Sequence, residues 1–325
     1  MKKILAIALA LVLCFGMVAC SGSTTDSTAT ASKVYKVGVV QLMQHVALDA
    51  ATQGFQDALI AQLGEGAVDF DVQNASGESV NCATIVNGFV SDNVDLIMAN
   101  ATPALQAAAS ATDKIPVLAT SITDYATALE LTDFNGTIGT NVSGTCDLAP
   151  IDQQAEMLHD LFPDAKTVGL LYCSAEPNSV FQADMIETYL TGYGYEVSRY
   201  TFTDSNDVSA VSEAAAAACD VLYVPTDNTA ATYTESIANK VLEAKTPLIA
   251  GEEGICSGCG VATLTIDYYD LGYQTGLMAA KILTGEADVS TMAIEYAPNV
   301  TKKYNAANCE QLGITVPEDY VAIGD

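Results

Sequence analysis

The stretch Val34–Leu63, VYKVGVVQLMQHVALDAATQGFQDALIAQL, decides the fold. It opens on the apolar run Val34-Tyr35-Lys36-Val37-Gly38-Val39-Val40, which has the β-branched character of a strand buried in a parallel sheet. A polar elbow follows, Gln41-Leu42-Met43-Gln44-His45. Leu48, Ala51, Phe55 and Leu59 then recur at steps of three and four, a helical period long enough to cross back over a sheet. The unit is strand, loop, helix, with the loop at the carboxyl end of the strand. In open α/β sheets that edge is where ligands bind.

The rest of the chain repeats the unit. Strand candidates lie at 68–72, 94–99 and 115–120, with helices at 79–90 and from Thr102-Pro103, where Thr suits an N-cap and Pro the first helical position. A Gly-, Asn- and Thr-rich region, 135–144, reads as a crossing between domains. The alternation then restarts, with strands at 167–172, 196–202, 221–224, 247–250 and 261–265 and helices between them. A helix at 268–283, an extended stretch at 292–296 and a short helix at 305–312 close the chain. Strands alternating with helices at this spacing predict a doubly wound α/β fold with parallel sheets.

Ahead of this region, Lys2 and Lys3 precede an apolar run from Ile4 to Val18, the pattern of a secretory leader. The run ends at Ala19-Cys20, a small residue before Cys, which resembles a bacterial lipobox. The expectation is a signal peptide over 1–19, a lipid on Cys20 and a flexible tether through Ser32, where Ser, Thr, Ala, Gly and Asp cannot build a core. The remainder suffices for two domains of ordinary size. The net charge of −28 disfavours a nucleic-acid partner, because phosphate contacts need a basic footprint.

Of the nine Cys, Cys14 leaves with the leader and Cys20 takes the lipid, leaving an odd number that cannot all pair internally. Cys82, Cys173 and Cys219 read as small core residues. Cys256-Ser257-Gly258-Cys259 is open to three readings: a loop disulfide, free thiols, or metal or redox chemistry. No second such motif and no nearby His completes a zinc site.

The elbows carry the functional expectation. Backbone N–H groups and helix N-termini at one rim suit a carboxylate. The first half places Gln41, His45, Asn100, Thr102, Ser121, Thr123 and Asp124 there. The second places Ser174, Glu176, Asn178, Ser179, Thr226, Asp227, Asn228, Glu252 and Glu253 there. Acids for an ammonium group and hydroxyls for a carboxylate describe an α-amino acid. Each residue is also suited to capping a helix or closing a turn. No phosphate loop and no Gly-x-Ser-x-Gly elbow appears, and the two His, His45 and His159, leave little room for a catalytic triad.

The segment Gln41 to Asp49 followed by Gly54-Phe55 resembles the first motif of ABC transporter substrate-binding lipoproteins of the tryptophan/tyrosine type. Further similar segments are Ala101-Thr102-Pro103-Ala104, Thr123-Asp124, Ile151-Asp152-Gln153-Gln154, Glu176-Pro177-Asn178-Ser179, Thr226-Asp227-Asn228-Thr229, Asp267-Tyr268-Tyr269-Asp270-Leu271-Gly272 and Leu312-Gly313-Ile314. Their order and spacing cover the mature chain. The resemblance implies a type I periplasmic-binding-protein fold, two Rossmann-like lobes joined by three hinge strands that close on a ligand. It places the N-lobe at 34–140 plus 267–297 and the C-lobe at 141–266 plus 298–325. It also implies an aromatic amino-acid ligand, although the chain has no Trp to stack on it. The aromatics near the elbows are Tyr125, Tyr172, Phe181, Tyr268 and Tyr269.

The reading is therefore a non-enzymatic, extracytoplasmic solute-binding lipoprotein, monomeric and without cofactor, serving an ABC permease and its ATPase. The alternative is a sensing module for a nucleoside, sugar or autoinducer. The expected ligand-binding residues are Gln41, His45, Thr102, Pro103, Ser121, Thr123, Asp124, Glu176, Asn178, Ser179, Asp227, Asn228, Glu253 and Asp267. Asp227 is expected to hold the ammonium group, so that its loss weakens binding more than about tenfold. No metal site is expected.

Overall fold

The computed structural model describes residues 33–297 and 299–324. The leader, Cys20 and the tether up to Ser32 lie outside the described residues.

The chain runs β1 (Tyr35–Gln41), α1 (Val46–Leu63), β2 (Val68–Asn74), α2 (Ser79–Asp92), β3 (Leu96–Asn100), α3 (Thr102–Ala111), β4 (Val117–Ile122), the single turn α4 (Tyr125–Ala128) and β5 (Val142–Cys146). It continues with α5 (Ile151–Leu161), β6 (Thr167–Cys173), α6 (Pro177–Gly192), β7 (Glu196–Phe202), α7 (Val208–Ala218), β8 (Val221–Val224), α8 (Asn228–Thr232), α9 (Thr234–Ala244), β9 (Leu248–Ala250), α10 (Glu253–Cys259) and β10 (Ala262–Thr265). The last elements are α11 (Tyr268–Thr284), β11 (Glu295–Tyr296), β12 (Thr301–Tyr304), α12 (Ala306–Leu312) and β13 (Val321–Ala322).

Two sheets result. The first has six strands in the order β11-β5-β4-β3-β1-β2, all parallel. The second has seven, β13-β12-β10-β9-β8-β6-β7, with the antiparallel pair β10–β12. Central strands such as β1 and β3 bury both faces and read as apolar runs, whereas the edge strands β2 and β7 alternate. Each sheet is covered on both sides. Phe55 and Leu59 of α1 join Met278 and Ala279 of α11 on one face of the first sheet. Val86 and Phe89 of α2 join Leu105 of α3 on the other. Ile186 of α6 and Cys309 of α12 lie in one layer of the second sheet, with Ile237 of α9 and Ile255 of α10 in the opposite layer.

The chain passes between sheets at residues 147–150, at 266–267 and between β11 and β12. Ala149 and Ile266 from two of these passages bury together with Tyr268 and Leu271 of α11 and with Ala47 and Ala51 of α1, and Ala297 of the third packs against them. The expected boundary after residue 140 is corrected: β5 pairs with β4, Val117 opposite Val142 and Leu118 opposite Ser143, so it belongs to the first sheet. The glycine that made this region look like a linker serves the pairing. At Gly144 (φ 149°) an added Cβ would stand 2.0 Å from the Ala119 carbonyl oxygen.

The α1–α11 contact is equally close. A Cβ on Gly272 would stand 1.9 Å from the Ala51 carbonyl oxygen. The Cys256–Cys259 motif lies on helix α10, not in a loop, and both thiols are free and buried. Burial pushes the Cys256 and Cys259 thiols up, away from thiolate chemistry.

Candidate functional site

Parallel strands deliver their carboxyl ends to one edge, so the elbows of the first sheet collect opposite those of the second. Two positions on the first sheet's edge are strained. Ala101, after β3, has φ 86°, and Ser121, at an irregularity in β4, has φ 57°. Non-glycine residues avoid this region, and such strain clusters at ligand sites. The N-termini of α1 and α3 carry no side-chain cap, which leaves N–H groups directed at this edge.

The second lobe supplies acids, three of which are already committed to helix starts. Glu176 accepts from the Asn228 N–H at 3.0 Å, Asn228 Nδ2 at 2.7 Å, the Thr229 N–H at 2.9 Å and Thr229 Oγ1 at 2.7 Å. Asp227 accepts from the Ala230 N–H through Oδ1 and from the Cys173 N–H through Oδ2, both at 2.7 Å. Burial, reinforced by Glu176, pushes its carboxyl up. Glu252 caps α10 by accepting from the Gly254 and Ile255 N–H groups, and burial pushes it up to about 7.

A fourth acid, Asp147, sits on the first passage between sheets and is 4% exposed. Its partners are two hydroxyls, Tyr268 OH at 2.8 Å and Thr123 Oγ1 at 3.2 Å. Burial pushes Asp147 up to about 6.

The lobes meet through side chains. His45 Nε2 lies 3.2 Å from Asn228 Oδ1, and burial lowers the His45 pKa. Gln182 Nε2 donates to Thr123 Oγ1 at 3.3 Å and to the Thr226 carbonyl at 3.1 Å. Asn178 Nδ2 donates to that carbonyl and to Glu176 Oε2, each at 3.2 Å. Asn178 Oδ1 and Ser121 Oγ are buried without a partner. Beside this network opens a cleft of about 280 Å³ that takes Leu42, Met43 and Pro103 from one lobe and Ala175, Glu176 and Tyr233 from the other.

His45, Thr123, Glu176, Asn178 and Asn228 are thus joined with Gln182 in hydrogen bonds that cross between the lobes, while Thr102, Ser121, Ser179 and Asp227 are buried. Pro103 lines the cleft. Others are placed differently. Gln41 turns into its own lobe, donating to Asp49 Oδ1 and accepting from Thr52 Oγ1, each at 2.6 Å. Asp124 caps α4 by accepting from the Thr127 N–H. Asp267 is an exposed cap of α11, accepting from the Asp270 N–H, and its neighbour Tyr268 is the residue turned inward. Glu253 pairs with Lys303 at 2.6 Å. The expectation that Asp227 is free for an ammonium group meets two oxygens already held by buried backbone amides. Asp147 and Gln182 were not singled out from sequence. Gln182 stands four residues after Asn178 on the same face of α6, a spacing that marks it in retrospect.

Among the described residues, no group of three His, Cys, Asp or Glu side chains is placed to hold a metal, and no helix is long and apolar enough to cross a membrane. Residues 36–324 match the family of ABC transporter substrate binding proteins. The chain belongs to that family. Its members are the extracytoplasmic, solute-capturing partners of an ABC transporter.

A relative from Clostridioides difficile (strain R20291), a tyrosine-binding protein, is 36% identical over 295 residues, 88% of this chain and 85% of its own length. The solved ABC domain in complex with L-Trp from Streptococcus pneumonia shares 31% identity, covers 88% of this chain and 97% of its own, and has a TM-score of 0.84. The ligand-free, open structure of a substrate binding protein with adhesive properties from Clostridium difficile shares 37% identity, covers 89% and 99%, and has a TM-score of 0.69. The open relative is nearer in identity and farther in shape, in keeping with the lobes of this binding protein being in contact. Binding proteins of 13% to 16% identity share the type I periplasmic-binding-protein fold alone.

Proposed function

We propose that this binding protein captures an aromatic amino acid between its lobes and delivers it to an ABC importer. The observation that carries the reading is the polarity of the interlobe surface. Buried acids and an unpartnered amide oxygen gather there, and among the described residues no Lys or Arg joins that hydrogen-bonded network. Such a surface favours a ligand with an ammonium group. The uncapped N-termini of α1 and α3 and the free Ser121 Oγ suit its carboxylate without a guanidinium. Leu42, Met43, Pro103 and Tyr233 offer a wall for an apolar side chain. The tyrosine-binding relative and the L-Trp complex support the aromatic class.

The mechanism is capture without chemistry. Two bodies, one carrying each sheet, bend at the passages around Ala149, Ile266 and Ala297, and the ligand favours closure by its greater affinity for the closed form. A lipid on Cys20 holds the monomer at the membrane beside its permease and ATPase.

A thermal-shift panel of L-tryptophan, L-tyrosine, L-phenylalanine, aliphatic amino acids, nucleosides and sugars tests the ligand class. A ligand present at about 100 times its Kd stabilises by about 2.7 kcal/mol. Stabilisation by nucleosides or sugars, and not by the aromatic amino acids, overturns the reading in favour of a different solute. For the anchor, the Cys20→Ser protein is expected to leave the membrane fraction, and unchanged membrane retention contradicts the lipid.

A further inference from the structure

We infer that Asp147, seated on the first passage between the sheets, takes the ligand's ammonium group and sets the preference for amino acids over their deaminated analogues. The inference rests on the proposed aromatic amino-acid ligand and goes beyond it by naming the residue.

Four acids are buried at the lobe interface, and the choice among them follows from who already holds their oxygens. Glu176, Asp227 and Glu252 accept backbone N–H groups that start helices, and an ammonium group competing for those oxygens would orphan buried amides. Asp147 accepts side-chain hydrogen bonds from the hydroxyls of Thr123 and Tyr268, and a carboxylate has about four acceptor sites. Those hydroxyls can stay in place while an N–H group joins them.

A second acceptor waits in the same network. Asn178 Nδ2 points at the Glu176 carboxylate and the Thr226 carbonyl, both acceptors, so the amide must present Oδ1 elsewhere. That Oδ1 is buried and unpartnered. It connects to Asp147 through the Thr226 carbonyl, Gln182 and Thr123. The acceptor sites still open on the Asp147 carboxylate suit a positively charged group with N–H donors.

The groups that face Asp147 are Tyr268 of α11, Glu252 at α10, and Tyr125 and Cys146 of the first lobe. None is cationic, so an ammonium group is the counter-charge this carboxylate lacks. Because Asp147 stands on the first passage and Tyr268 begins α11 directly after the second, occupancy there also ties the two together.

The test is calorimetry with three probes: L-tryptophan, 3-(indol-3-yl)propionate, which lacks the amine, and tryptamine, which lacks the carboxylate. Wild-type protein is expected to prefer L-tryptophan over the propionate by more than about tenfold. Asp147→Asn is expected to lose most of that preference and to stop binding tryptamine, with its propionate affinity nearly unchanged. An undiminished preference in the folded variant overturns the assignment of Asp147.

A measurement on wild-type protein alone covers the case of a variant that does not fold. Near pH 6, calorimetry in two buffers of different ionisation enthalpy should show proton release with L-tryptophan and none with the propionate, since Asp147 is pushed up to about 6 when no cation faces it. Equal proton exchange with both probes also overturns it. Failure of wild-type protein to bind any aromatic amino acid strikes the proposed function instead.

Discussion

Replacing Asp227 with Ala separates a structural acid from a ligand-binding one. The side chain closes the end of β6 onto the start of α8 by accepting the Cys173 and Ala230 N–H groups, each at 2.7 Å. Losing the α8 cap costs about 1 kcal/mol. Leaving the buried Cys173 N–H without a partner adds about 1–3 kcal/mol. Against this stands the relief of a carboxylate that burial and Glu176 already disfavour in its charged form. The net expectation is a loss of about 2–3 kcal/mol, and a Tm lower by about 5–10 °C for a lobe of this size. The assay pairs thermal denaturation with calorimetry well below the transition, where the folded variant should bind L-tryptophan within about threefold of wild type. A Tm that does not move, together with affinity lost by more than about tenfold, refutes the structural assignment and returns Asp227 to the ligand.

Three further outcomes follow from the same geometry. Gly272→Ala forces α11 off the Ala51 carbonyl oxygen and should lower stability in urea by at least about 1–3 kcal/mol, whereas Gly88→Ala, on an exposed turn of α2 with open space around it, should be neutral or mildly stabilising; equal effects contradict the packing account. The unliganded protein should become less stable between pH 6.5, the ordinary His45 value, and about pH 8.5. Glu252 and Asp227 have folded pKa values above their unfolded ones, so their stabilisation is complete only below the unfolded values and is lost as pH rises through the folded ones, about 7 for Glu252; a Tm rising across that window refutes it. Cys256 and Cys259 should resist alkylation in the native protein and react once it is unfolded without reductant, whereas a mass showing a disulfide contradicts the free buried thiols.

The alternation of strand and helix was legible because each element writes its own period: β-branched runs for buried strands, steps of three and four for helices crossing back. Short elements that depend on neighbours were not. The turns α8 and α10 are too brief for a period and exist because Asp227 and Glu252 cap them inside a packed lobe. β5 hides behind a glycine whose purpose is visible only when Ala119 lies against it. At the site, the sequence pointed to the elbows after the strands because topology sends every parallel strand's carboxyl end to one edge. It could not separate caps from ligand groups, since Asp, Asn, Ser and Thr do both with the same atoms.

By itself, then, the sequence determined the α/β class, the repeated unit that begins at Val34 and the elbows facing one rim. Those properties are local, or follow from chain direction. Tertiary structure alone decided that Asp227 is spent on Cys173 and Ala230, that Gln41 turns into its own lobe, and that Asp147 comes against Tyr268 from 121 positions away in the chain. Which oxygen is free depends on what folding brings beside it, and no spacing along the chain records that.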